Sequence, residues 1–254
     1  MSFKDKVVIV TGASSGIGRG AAIHLAKLAA DVVLVGRNQE RLNEVKQQII
    51  ANGSSEPLVL AADVTKDSEK IINESVKHFG KINVLINNAG MMTEESIENV
   101  TMEAFDKTID VNLRSVVQLT QKAIPYLEQT KGNILNVSST AGLKAVPNLL
   151  SYCVSKAALD QLTKCSALNL APKGIRVNAI NPAAIRTPLY KALGIDSKAE
   201  QELFDSYKSH YPMGRIGEVS DTSSAIAYLT GDSASFLTGV LLPVDGGALT
   251  AGYD

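Results

Sequence analysis

The chain is poor in residues that would point to several common functions. It has two cysteines, Cys153 and Cys165, in 254 residues. That is too few for a disulfide framework, and their spacing is not that of a metal site. On a single helix the two would stand about 120° apart around the axis, which disfavours pairing and reads as reduced intracellular thiols. Histidine is scarce too: His24, His78 and His210 each fall on a stretch that reads as helix surface, packing or lid. A serine hydrolase would need one of them as its catalytic base, and a metal centre would need a ligand cluster that the sequence does not offer. No Gly-x-Ser-x-Gly elbow occurs, since Gly231-Asp232-Ser233-Ala234 runs on to Ser235. Neither sign of charge dominates. A net charge of −1 argues against nucleic acid or an anionic membrane as the main partner. No apolar run approaches the ~20 residues of a membrane span. Met1-Ser2-Phe3-Lys4-Asp5-Lys6 leads into a strand-like run rather than a signal sequence. The final Ala251-Gly252-Tyr253-Asp254 carries no prenylation or peroxisomal signal. The expectation is a cytoplasmic protein without membrane insertion, acting on a small molecule.

What is present is a regular alternation within a 45% hydrophobic chain. Val7–Val10, Val32–Val35, Leu58–Ala61, Val84–Ile86, Ile134–Val137, Val177–Ile180 and Val240–Val244 read as strands. They are short, rich in β-branched residues and mostly continuous rather than alternating, as in strands buried on both faces. Helical patterns lie between them, at 17–29, 39–50 and 68–79. The alternation predicts an α/β fold: one Rossmann-type, doubly wound parallel sheet of about seven strands with helices on both faces. No repeat or linker divides the sequence, so residues 1–254 are expected to form a single domain.

The first strand runs into Thr11-Gly12-Ala13-Ser14-Ser15-Gly16-Ile17-Gly18 and then a helix. Glycines at these positions allow a tight turn, close backbone approach to a pyrophosphate and close packing of helix on strand, with the helix N-terminus facing the phosphates. After the second strand comes Gly36-Arg37-Asn38. An acid there would bind the 2′-hydroxyl of NAD; Arg37 is placed to meet a 2′-phosphate instead, with Ser14 as a further donor, so NADP(H) is favoured over NAD(H). Asp63-Val64 follows the third strand, where Asp63 suits either the adenine amino group or the start of the next segment. Asn87-Asn88-Ala89-Gly90 follows the fourth, at the crevice where open sheets bind ligands.

The stretch from Ser139 to Lys156 holds the reactive candidates. Tyr152 and Lys156, four apart, share one helix face. A phenol titrates near pH ~10, too high for easy proton exchange at neutral pH. A cation about 4 Å away interacts by roughly 4 kcal/mol at an effective dielectric of ~20, so Lys156 is expected to lower Tyr152.

On these residues the chain resembles the short-chain dehydrogenase/reductase family, of the kind about 250 residues long, over nearly its whole length. The motifs are Thr11 to Gly18, Asp63-Val64, Asn87 to Gly90, Asn112, Ser139, Tyr152-x-x-x-Lys156, Asn181-Pro182, Thr187 and the run from Gly239 to Gly247. The likeness is to the oxoacyl-reductase-like and hydroxysteroid-dehydrogenase-like branches. It implies Tyr152 as general acid or base and Ser139, rather than Ser138, as donor to the substrate oxygen. Lys156 would hold the nicotinamide ribose and depress the tyrosine, and Asn112 would anchor a water in a proton relay. The cofactor would lie against Gly12, Ser14, Ser15, Gly16, Ile17, Gly18, Arg37, Asp63, Val64, Asn88, Ala89, Gly90, Pro182, Ile185 and Thr187, with Asn87 stabilising the sheet. The resemblance also implies a homotetramer or homodimer packed through the long helices of Asn112 and Tyr152. One departure is Ala183, where the family usually has glycine.

Residues 187–213 read as a substrate lid. Leu189, Tyr190, Leu193, Phe204, Tyr207, Tyr211 and Met213 are candidates for its inner face, and Met91, Met92, Leu143 and Val146 for the opposite wall. Such a pocket favours a lipophilic carbonyl. The alternatives are a 3-oxoacyl thioester reductase, for which Lys131 and Lys173 make a meagre docking surface, and a dinucleotide-binding regulatory protein without turnover. A proton relay of Asn112, Ser139, Tyr152 and Lys156 argues against the last.

Overall fold

The computed structural model describes residues 1–189, 194 and 196–251. Seven strands, β1 (Val7–Thr11), β2 (Asp31–Gly36), β3 (Leu58–Ala61), β4 (Val84–Asn87), β5 (Asn133–Val137), β6 (Arg176–Pro182) and β7 (Leu241–Val244), pair in parallel in the order β3-β2-β1-β4-β5-β6-β7. β1 is an interior strand: Val8 pairs with Val32 on one side and with Val84 on the other. The chain order reverses between β1 and β4, and such a reversal opens a crevice at the C-terminal ends of the strands.

Continuous apolar strands follow from this burial. Successive side chains point to opposite faces, so Val8 and Val10 enter one core with Leu25, Leu34 and Leu42, while Val7 and Ile9 enter the other with Ile71, Leu119 and Leu127. Helices cover both faces: α1 (Gly16–Lys27), α2 (Gln39–Ala51), α3 (Ser68–Phe79), α4 (Met102–Ile109), α5 (Ser115–Thr130), α6 (Leu150–Leu170), α7 (Ser197–His210) and α8 (Val219–Thr230). α1 and α8 pack together on one face, and α3 and α5 on the other.

Two local features depart from the sequence pattern. The first helix ends at Lys27, short of the expected Ala29, because Ala29 takes a left-handed φ of 72° that no helix continues through. Asn112 lies in a five-residue π-helical turn, Asp110–Arg114, between α4 and α5 rather than in ordinary helix. Both cysteines are free and lie on α6. No helix among the described residues is long and apolar enough to cross a membrane.

Candidate active site

A cleft of about 1360 Å³ runs across the C-terminal ends of β1 to β6, where the order reverses. The glycine turn forms its floor. Gly12 and Gly16 have φ of 65° and 53°, and a Cβ on Gly12 would stand 2.8 Å from Asn88 Nδ2. The Thr11 hydroxyl stitches this turn to β4: it donates to Ile86 O at 3.2 Å and accepts from the N–H groups of Asn88 and Ala89 at 2.9 and 3.0 Å. Asn88 Nδ2 donates back to Thr11 O at 2.8 Å. Asn88 thus shapes the floor as well as lining it. Asn87 is buried, and its Nδ2 donates to Asn136 Oδ1 at 3.0 Å, as befits a residue that binds β4 to β5.

One end of the cleft is basic. Arg37, Arg41 and Lys66 line it with Ser14, Asn38, Asp63 and Thr65. Arg41 and Lys66 escaped the motif reading; Arg41 was within reach of it, being four residues after Arg37 on a helix start that Asn38 caps, accepting from Arg41 N at 2.9 Å. Asp63 Oδ1 accepts from the N–H and hydroxyl of Thr65 at 2.9 and 2.8 Å, and these bonds hold its carboxyl below its ordinary range. It serves the local turn while also lining the cleft.

At the other end Tyr152 and Lys156 project from the first turns of α6 toward the end of β5. Ser139 follows β5, opens a short 3-10 turn whose Ala141 N–H it accepts at 3.1 Å, and hydrogen-bonds with the Tyr152 phenol. The Ser138 hydroxyl points elsewhere, 3.3 Å from Lys156 O, so Ser139 is the serine placed at the tyrosine. Lys156 is 4% exposed; its Nζ donates to Val137 O at 2.8 Å and lies 5.6 Å from the Tyr152 ring centroid.

The expected electrostatics are reversed. Burial pushes the Tyr152 phenol up from its usual range, with the Ser139 hydrogen bond opposing. Burial also lowers Lys156 to about 8, against the pull of Asp160. For the phenol, the cost of ionising out of water outweighs the stabilising hydrogen bond from Ser139.

Asn112 is buried and does not line the cleft. Its Nδ2 donates to Met91 O at 2.9 Å and Ser155 Oγ at 3.0 Å, and its Oδ1 accepts from Met91 N at 2.8 Å. Gly18 is likewise outside the cleft: a Cβ there would run into Gly12 O and Asn88 Nδ2, so it serves the packing of α1 on β1. Gly12, Ser14, Ser15, Gly16, Ile17, Arg37, Asp63, Val64, Asn88, Ala89, Gly90, Pro182, Ile185 and Thr187 all line the cleft. So does Ala183, half-buried in place of glycine.

Among the wall candidates, Met91, Met92, Val146, Leu189, Tyr207 and Tyr211 line the cleft. Tyr211 accepts from Ala184 N at 3.0 Å through its hydroxyl and stacks on Tyr207 at 6.0 Å. Three candidates do not line it. Phe204 is fully buried in a small core with Ala184 and Ile216, whereas Leu143 and Met213 are exposed to solvent at 43% and 66%. Apolar character alone could not separate pocket from core or surface. Tyr190 and Leu193 lie outside the described residues.

Left-handed glycines under a long cleft, basic groups at one end and a Tyr–Ser–Lys cluster at the other fit a nicotinamide dinucleotide. The comparisons with known proteins agree. A family model described as enoyl-(acyl carrier protein) reductase matches residues 12–249. An L-xylulose reductase of Caenorhabditis elegans is 37% identical, over 96% of each chain. Among solved structures, a short-chain dehydrogenase/reductase of unknown function from Caenorhabditis elegans, with cofactor, has a TM-score of 0.93 at 37% identity, over 99% of each chain. The 3-ketoacyl-(acyl-carrier-protein) reductase of Brucella melitensis, complexed with NADH, has a TM-score of 0.89 at 36% identity, over 97% of this chain and 99% of that one. The chain belongs to the short-chain dehydrogenase/reductase family of oxidoreductases, which bind nicotinamide dinucleotides.

Proposed function

We propose that the protein is an NADP-dependent reductase of a lipophilic ketone-type carbonyl, working in reverse on the secondary alcohol. The observation that carries this reading is the pairing of Tyr152, Ser139 and Lys156 with an Arg37–Arg41–Lys66 cluster at opposite ends of one cleft. The three basic groups would hold the 2′-phosphate, and the glycine turn the pyrophosphate. Thr187 and the Ile185 backbone would hold the carboxamide, and Lys156 the adjacent ribose hydroxyls. When bound, the nicotinamide supplies or takes the hydride. Ser139 donates to the substrate oxygen as charge builds on it. Tyr152 delivers the proton at its phenol oxygen, and its raised proton affinity keeps that proton in place at neutral pH. Asn112, in the wide π turn, would anchor a water that joins Lys156 to solvent; its amide is spent on Met91 and Ser155, so its main-chain oxygen would hold that water. Residues 187–213 act as the lid of what is otherwise a single domain at work in the cytoplasm, and Met91, Met92, Val146, Leu189 and Tyr207 give the substrate an apolar wall.

Reduction of a 3-oxoacyl thioester is the second reading, favoured by the likeness to a 3-ketoacyl-(acyl-carrier-protein) reductase. Against it, the mouth of the cleft is mixed in charge: Glu103, Asp106 and Asp110 stand with Lys107 and Lys144. Lys131 lines a separate hollow at the opposite ends of the strands, beside Lys173.

A panel of steroids, retinoids, quinones, diketones, L-xylulose and acyl thioesters, run with NADPH and NADH and followed by absorbance, tests the reading. Turnover of lipophilic carbonyls with NADPH is expected, and Arg37→Ala should raise KM for NADPH at least tenfold more than for NADH. Preference for acyl thioesters would favour the second reading. Equal losses with both cofactors would remove the 2′-phosphate argument, and no turnover at all would sink the reductase.

A further inference from the structure

Asp160 is an acid for which the reaction above has no use. It sits on α6 one turn beyond Lys156, and only 4% of it is exposed. A carboxylate buried that deeply is unfavourable unless hydrogen bonds and opposite charge compensate it. The compensation comes from the active site itself. Asn181 Nδ2, near the end of β6, donates to the two carboxylate oxygens at 3.1 and 2.9 Å and to the main-chain oxygen of Ser139 at 3.0 Å. The Ser138 hydroxyl also bonds the carboxylate. Gly142 leaves the space for it: a Cβ there would stand 2.5 Å from Asp160 Oδ2.

We propose that Asp160 is a positioning residue: through Asn181 it fixes the main chain that carries Ser139, and its buried carboxylate sustains the charge of Lys156. This rests on the reductase reading above. The charged groups that act on Asp160 are Lys156 and Lys164 of its own helix, while the turn after β5 and the end of β6 contribute the uncharged Ser138, Gly142 and Asn181. Burial lowers Lys156 to about 8 and Asp160 draws it back up. The ammonium is therefore present below about pH 8 and lost above it. Removing the carboxylate moves that loss to lower pH.

Asp160→Asn preserves shape and removes the charge. In this variant kcat/KM for the carbonyl should fall about twofold at pH 7 and about tenfold at pH 9. Its alkaline limb, near pH 8 in the wild type, should move down by about 1 unit. NADPH affinity at pH 6, measured by calorimetry, should stay within about twofold, because Lys156 is still charged there. An unmoved limb with wild-type kcat/KM overturns the proposal. Asn181→Ser keeps the carboxylate but is too short to span Asp160 and Ser139; kcat should drop about tenfold with the limb in place. A wild-type kcat in that variant overturns the tie to Ser139, and it decides the matter if Asp160→Asn does not fold. Should the wild type show no turnover that depends on Tyr152, the reductase reading fails first. The Lys156 titration, followed by NMR of labelled lysine in the resting protein, then still reports whether Asp160 sustains the charge.

Discussion

The Tyr152 phenol holds its proton harder than a free tyrosine does, because the site desolvates it and Ser139 offsets only part of that. A group in this state suits proton donation to a developing alkoxide, whose own affinity for a proton is higher still. Tyr152→Phe should lower kcat by about 10²–10⁴-fold, the usual weight of one general acid. NADPH binding should change by less than about threefold, since the proposed pyrophosphate and 2′-phosphate contacts would lie elsewhere in the cleft. Turnover near the wild-type rate, measured with the best substrate of the panel, would overturn the assignment. At this scale the sequence was informative where roles follow helical spacing, as with Tyr152 and Lys156 four apart on α6; Asp160, one turn further on, carried no motif that marked it. The sequence expectation for the tyrosine was wrong in sign: the four-residue spacing predicts a lowering by Lys156, and the phenol is raised. That sign depends on how water is excluded by β5, β6 and the turn after Ser139, which no local spacing encodes.

The element that holds the cofactor end together is the β1–α1 turn, and its glycines differ in what they do. Gly12 and Gly16 need a left-handed backbone, whereas Gly18 is needed for contact: it lets α1 rest on Gly12 O and Asn88. Gly18→Ala should destabilise the fold by roughly 1–3 kcal/mol through overpacking. It should also weaken dinucleotide binding, because relief of the clash has to move the turn or Asn88. Denaturant midpoints and cofactor titration measure the two effects; a variant equal to the wild type in both would show that the turn has slack. The glycine spacing was readable because φ and close approach are properties of single residues. The π turn at Asn112 was not, since Asp110–Arg114 has the composition of ordinary helix. Its widening comes with the clamp between Asn112 and Met91, a contact between segments twenty-one residues apart.

For the molecule as a whole, the exposed face of α6 carries Val154 and Leu168, with Leu168 at 79% exposure. Fourteen residues separate them, which returns them to nearly the same side of a helix. Light scattering should accordingly give the mass of a homodimer or homotetramer, and Leu168→Glu should shift the population toward smaller species. A strictly monomeric wild type would remove the proposed packing through the long helices. The sequence by itself determined the seven strands to within a residue or two, the burial of the five inner ones on both faces and the identity of most groups around the cleft. These follow from short-range chemistry: β-branched runs, glycine turns and a helical repeat. Tertiary structure alone decided the rest. It set the sheet order that opens the crevice between β1 and β4, put Leu143 and Met213 in solvent and Phe204 in core, and placed Asn181 between Asp160 and Ser139. Each of these depends on which distant segments come together, and on the water they displace in doing so.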